Sequence, residues 1–101
     1  MVAGCIGLLL ACSAFAKDVV IDVRTPQEFQ SGHIEGALNI PHDTIGQDIS
    51  KVKVSKDDHV ILYCRSGRRS GLALGTHKGL GFSYVENYGG FEEAQKRLQK
   101  R

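Results

Sequence analysis

The run Val19-Val20-Ile21-Asp22-Val23 does most to limit what this chain can fold into. Successive β-branched residues with little polar alternation fit a strand that is covered on both faces. Directly after it, Thr25-Pro26-Gln27-Glu28 combines a hydroxyl cap, proline at the first helical position and an acid three residues on. That string is a capping box with its helix start fixed. A doubly covered strand that feeds at once into a helix already favours a layered α/β fold.

The rest of the chain repeats the alternation. The first helix is short and stops near Gly32, and residues 37–40 read as a second short strand ended by Pro41. Ile45, Ile49 and Val52 then recur at helical spacing, with Asp43 as the expected cap. Polar residues 55–58 make a turn, and Val60-Ile61-Leu62-Tyr63 is the clearest strand of all. Residues 70–80 form the next helix, although Gly71, Gly75 and Gly79 lie inside it, each costing roughly 1 kcal/mol against alanine. Their four-residue spacing puts them on one face, where a missing side chain allows close approach to a sheet, and the plainer reading of a weak helix held by tertiary contacts applies at the same time. Tyr84-Val85-Glu86 reads as the last strand and Gly89-Gly90 as a turn. Residues 91–101 are amphipathic, with Phe91, Ala94 and Leu98 on one stripe. Glu92 and Glu93 lead and Lys96, Arg97, Lys100 and Arg101 follow, which suits the helix dipole and makes the basic tail helix chemistry rather than a binding patch. Strands alternating with helices predict an α/β layer with a mostly parallel sheet. Ligands of such sheets bind beyond the carboxyl ends of the strands, and Cys64 stands at that edge.

Length and composition permit a single packed domain. The chain has 101 residues, 42% hydrophobic and 24% charged. Its formal charge of +2 is too small to argue for nucleic acid or an acidic membrane. Residues 1–16 hold no charged side chain and no proline, and they end in Ala14-Phe15-Ala16 before Lys17. They are too short to span a bilayer and read as a secretory leader, which leaves residues 17–101 as the folded domain and an exported, periplasmic location. A competing reading takes Leu9-Leu10-Ala11-Cys12 as a lipoprotein box, with membrane attachment only through a lipid on Cys12. Cleavage after Ala16 leaves Cys64 as the lone cysteine, so no internal disulfide can form. A lone thiol in an oxidising compartment is a liability unless it works or is buried.

The chemistry concentrates in Cys64-Arg65-Ser66-Gly67-Arg68-Arg69-Ser70. A strand delivers a cysteine to its carboxyl edge, a short loop follows, and a helix begins near Ser70. Such a loop can turn backbone N–H groups toward the sulfur, with Gly67 easing the turn, and so form an anion nest. The helix start adds unpaired N–H groups and the positive end of its dipole. A free thiol titrates near ~8.5 and is lowered by helix starts and nearby cations. Arg65, Arg68 and Arg69 are expected to add to that field, one or two of them facing solvent, so a thiolate nucleophile is expected at neutral pH. The bland alternative is an inert core cysteine, but three arginines and a glycine directly after it make little sense there.

These strings together resemble the rhodanese family in its small, single-domain, exported phage-shock-type form. The resemblance covers residues 19–99 and rests on I-D-V-R-T-P-Q-E-F (21–29), G-H-I-E-G-A-L-N-I-P (32–41), Y-C-R-S-G-R-R-S (63–70), G-F-S-Y-V-E-N (81–87) and Gly89-Gly90. It implies a parallel sheet of about five strands flanked by helices on both faces. It also implies a thiosulfate sulfurtransferase in which Cys64 carries a persulfide and Arg65, Ser66, Gly67, Arg68, Arg69 and Ser70 form the cradle. Asp22 and Arg24 match the family's D-x-R pair and His33 its G-H-I-x-G-A turn, all three as structural support. The implied partners are thiosulfate as donor and a thiol or cyanide as acceptor, with the chain acting as a monomer. The glycine-rich helix departs from the family's usual alanines, which bears on stability rather than activity.

Three rivals compete. A phosphatase or arsenate reductase on a related fold uses a cysteine, five residues and then an arginine; here Arg69 comes one residue early and position 70 is serine. A non-catalytic binding module generally lacks the cysteine. A thiol-disulfide redox protein wants a Cys-x-x-Cys pair. His33, His42, His59 and His77 show no metal-ligand spacing, and no phosphate-loop or dinucleotide fingerprint is present, so neither metal nor organic cofactor is expected.

Overall fold

The computed structural model describes residues 17–100. The leader assigned to residues 1–16, its cleavage site and Cys12 lie outside the described residues. Within them the order is β1 (Asp18–Asp22), α1 (Pro26–Ser31), β2 (Leu38–Asn39), α2 (Ile45–Asp48, continued by a 3-10 turn Ile49–Lys51), β3 (His59–Cys64), α3 (Arg68–Gly79), β4 (Tyr84–Gly90) and α4 (Phe91–Gln99). The strands form one parallel sheet in the order β2-β1-β3-β4. The fold is therefore the α/β layer that the alternation predicts, with four strands among the described residues where the resemblance implies about five.

The unbroken apolar character of β3 has a direct cause. Side chains alternate across a strand, and both faces are covered. Val60, Leu62 and Cys64 join Ile45, Ile49 and Ala73 on one side. Ile61 and Tyr63 join Ala94 on the other, with Phe29, Phe91 and Leu98 packed against them. Every residue of β3 is buried, as a central strand between two helical layers requires.

Local differences from the sequence reading have physical reasons. Asp43 does not cap α2; Thr44 stands at that position, its hydroxyl turned to the Pro41 carbonyl rather than capping the helix, and the helix is short and tightens at once into the 3-10 turn. Helix α3 starts at Arg68, two residues early, because Gly67 at φ 99° turns the chain there. The three glycines of α3 do not form a close-packed face. A Cβ at Gly71 would sit at an ordinary 3.5 Å from Asn87 Nδ2, while Gly75 and Gly79 have nothing within 4 Å. The helix is held instead by buried Ser70, Ala73 and His77.

Gly89-Gly90 is not a turn. It ends β4, and the strand bulges there: Leu62 pairs with Asn87, but Cys64 pairs with Gly90, so β4 carries one extra residue. Gly89 absorbs the irregularity at φ 88°. The bulge lies beside Cys64, at the edge where a site is expected.

Candidate active site

Cys64 is the last residue of β3 and is 0% exposed. Its sulfur lies at the start of α3, which has Gly67 at the cap position and no side-chain cap. The first N–H groups of a helix have no partner inside it. Here the sulfur serves as that partner: Gly67 N–H donates to Cys64 Sγ at 2.9 Å, and the Ser70 hydroxyl lies 3.5 Å away. Burial pushes the thiol up, but the Ser70 hydroxyl and the backbone N–H groups of Ser70, Ser66 and Gly67 outweigh it, and the thiol lies below its ordinary value of 9.0. Hydrogen bonds to the charged form lower an acid in this way.

The loop keeps its shape by resting on the bulge. A Cβ at Gly67 would lie 3.3 Å from Gly89 Cα, and one at Gly90 only 2.5 Å from the Arg65 carbonyl oxygen. Glycine is required at 67 and 90 because two backbones meet there. Asn87 bridges the same elements. Its Nδ2 donates to the Gly67 carbonyl at 3.1 Å, and its Oδ1 accepts from Gly89 N–H at 2.8 Å and from the Ser70 hydroxyl at 2.6 Å. Nothing in the sequence pattern singles Asn87 out, because the groups it joins are 2, 17 and 20 residues away.

Of the three arginines, two face solvent, within the expected one or two, and one is held by Glu28. Arg69 is pulled aside: its Nη1 and Nη2 donate to Glu28 Oε1 and Oε2 at 2.8 and 3.1 Å. The Arg69 guanidinium, with the Thr25 N–H, holds the Glu28 carboxyl down at about 2. Arg65 and Arg68 are exposed, and neither guanidinium is held by a hydrogen bond or ion pair among the described residues. The amides and the serine therefore lower the thiol, while two arginines remain as free cations at the loop.

Of the three supporting residues, two lie beside the loop. Asp22 and Arg24 form a buried pair, Nη2 to Oδ2 at 2.7 Å, and the same Nη2 donates to the Gly32 carbonyl at 2.6 Å. Arg24 lies over the Phe91 ring at 4.8 Å, which ties the end of β1 to α4. His33 is exposed and remote from the sulfur; its Nδ1 pairs with the Phe29 carbonyl at 2.8 Å and closes α1. A cavity of about 740 Å³ opens next to the loop, lined by Arg24, Glu28, Arg65, Ser66 and Phe91 among others. Cys64 does not line it, while its two following residues, Arg65 and Ser66, do.

A cysteine sulfur facing amide donors at a helix start, on the carboxyl edge of a parallel sheet, marks a class of α/β proteins whose site favours negative charge on sulfur. Comparison narrows the class: the chain belongs to the rhodanese-like domain family, whose profile matches residues 10–97. It is 36% identical over 88 residues to the thiosulfate sulfurtransferase PspE of Escherichia coli, covering 87% of this chain and 85% of that protein. Among solved structures it resembles a rhodanese with anions from E. coli, at 38% identity and a TM-score of 0.72 over 75% of this chain and 89% of that one. It also resembles the human single-domain sulfurtransferase TSTD1, at 29% identity and a TM-score of 0.65 over 93% of this chain and 90% of that one. The family thus includes sulfurtransferases of the same small, single-domain form.

Proposed function

We propose that the chain is a thiosulfate sulfurtransferase that carries sulfur as a persulfide on Cys64. The Cys64 thiolate attacks the outer sulfur of thiosulfate; the sulfur–sulfur bond of the donor breaks and sulfite leaves with its electron pair. A thiol, or cyanide in an assay, then attacks the outer sulfur of the persulfide, and the thiolate of Cys64 is the leaving group. The observation that carries this reading is the bond from Gly67 N–H to Cys64 Sγ at 2.9 Å, within a set of donors that favours negative charge on sulfur. Donors fixed in advance where charge resides need no reorganisation during reaction.

The covered position of Cys64 adds a step. Because the residue is 0% exposed, the groups that cover it shift to admit the donor. The exposed Arg65 and Arg68 meet the divalent anion first, and the cradle receives its outer sulfur. The tie between Arg69 and Glu28 argues against a phosphatase, which needs an arginine aimed into the loop. No helix among the described residues is long and apolar enough to cross a membrane. We take the acting form to be the exported monomer, freed of residues 1–16.

The test is transfer from thiosulfate to cyanide by the wild type and by Cys64→Ser. The serine variant should lose all measurable transfer while keeping its fold. Activity retained in that variant would disprove the assignment.

A further inference from the structure

The Asn87 side chain touches the sulfur loop, the first turn of α3 and the β4 bulge together. Its three bonds run to the Gly67 carbonyl at 3.1 Å, the Gly89 N–H at 2.8 Å and the Ser70 hydroxyl at 2.6 Å. The first partner can only accept and the second can only donate, so the orientation of the amide is fixed by its surroundings. Both lone pairs of Oδ1 are occupied.

We infer that Asn87 is a positioning residue for Cys64, holding Gly67 by its carbonyl, and so the residue whose N–H faces the sulfur, together with the Ser70 hydroxyl. This rests on the reading of Cys64 as the sulfur carrier. The Ser70 hydroxyl has one proton and three acceptors in reach: Asn87 Oδ1 at 2.6 Å, the Gly67 carbonyl at 3.1 Å and Cys64 Sγ at 3.5 Å. With a neutral thiol, the shortest contact wins and the proton lies on Asn87. With negative sulfur, a charge-assisted bond competes, and the hydroxyl can turn to it. Oδ1 is not orphaned by that turn, because Gly89 N–H still donates to it. Asn87 thus holds the hydroxyl next to the neutral thiol and pins the peptide that follows Gly67, so that the loop is already in place when the sulfur becomes negative. The extra residue in β4 is part of the device, since the Gly89 N–H at the bulge donates to the Asn87 side chain two residues back.

The test reads the pH profile of Cys64 alkylation by iodoacetamide, with melting temperature and thiosulfate kinetics measured alongside. In Asn87→Ala the alkylation midpoint should move upward by about one pH unit and kcat/KM for thiosulfate should fall about tenfold, the size of one lost bond to a charged group. Ser70→Ala should shift the midpoint less, and adding it to Asn87→Ala should change little, because the hydroxyl is already unplaced. Asn87→Ser carries the same test should the alanine variant not fold. A midpoint unchanged or lowered in a folded Asn87 variant overturns the inference, as do fully additive effects of Asn87 and Ser70. A merely structural asparagine would lower the melting temperature and leave the profile where it was. If the wild type transfers no sulfur from thiosulfate yet the alkylation shifts appear as stated, the sulfurtransferase reading falls and the positioning role stands.

Discussion

Two helices, α1 and α3, begin at the same edge of the sheet and satisfy their first N–H groups in opposite ways. At α1 the chain supplies its own acceptors: Thr25 Oγ1 takes the Glu28 N–H at 3.2 Å, and Glu28 Oε1 takes the Thr25 N–H at 3.0 Å. Pro26 fills the first helical position. At α3 the cap is Gly67, which brings no side chain, and the acceptor is the sulfur of Cys64. The first start is complete in itself and contributes stability. The second remains a donor site that only an anion fills well, and that is where chemistry can be done. The Arg69–Glu28 pair joins the two starts, so the stable one braces the reactive one.

The comparison is broken most severely at Gly67. Gly67→Ala places a side chain at φ 99° and 3.3 Å from Gly89 Cα. It should lower stability by about 2 kcal/mol and raise the Cys64 alkylation midpoint, read by denaturant melts and by the pH profile. A neutral outcome in both would mean that the loop does not rest on the bulge.

Damage to the other start should behave differently. Thr25→Ala should lower stability by about 1 kcal/mol and leave the alkylation midpoint of Cys64 in place. Glu28 adds a pH signature to the same start. Its carboxyl falls from 4.5 unfolded to about 2 folded, so its contribution is complete above 4.5 and drains away as pH drops toward about 2. Denaturant melts of Glu28→Gln against the wild type should therefore differ most near neutral pH and converge in acid. Curves that stay parallel down to the lowest pH would show that Glu28 is not held as described. The smallest effect lies away from both starts. Gly75→Ala, in open space on an exposed turn of α3, should raise stability by up to about 1 kcal/mol without touching activity. A loss of stability there would mean that the close approach to the sheet is real after all.

How much of this was legible in the sequence follows from distance along the chain. The α1 start could be read in full because Thr25, Pro26 and Glu28 are within one turn. The strands could be read because burial on both faces writes apolar residues at positions 60–64 of β3. Cys64 and its loop stood out because a strand, a glycine and three arginines are contiguous. What the arginines do could not be read, since the partner of Arg69 lies 41 residues away at Glu28. Likewise the role of Asn87 and the docking of Gly89-Gly90 depend on a strand register with one residue out of step, which local pattern does not encode. The glycines of α3 misled for the same reason: their spacing is local, but whether a sheet meets that face is not.

The most direct check on the central claim is the intact mass of the purified protein after incubation with thiosulfate, with Cys64→Ser treated in parallel. The account predicts that the wild type gains one sulfur atom, lost again on adding cyanide, and that the serine variant gains none. An unmodified wild type, or a sulfur adduct that persists in Cys64→Ser, would contradict it.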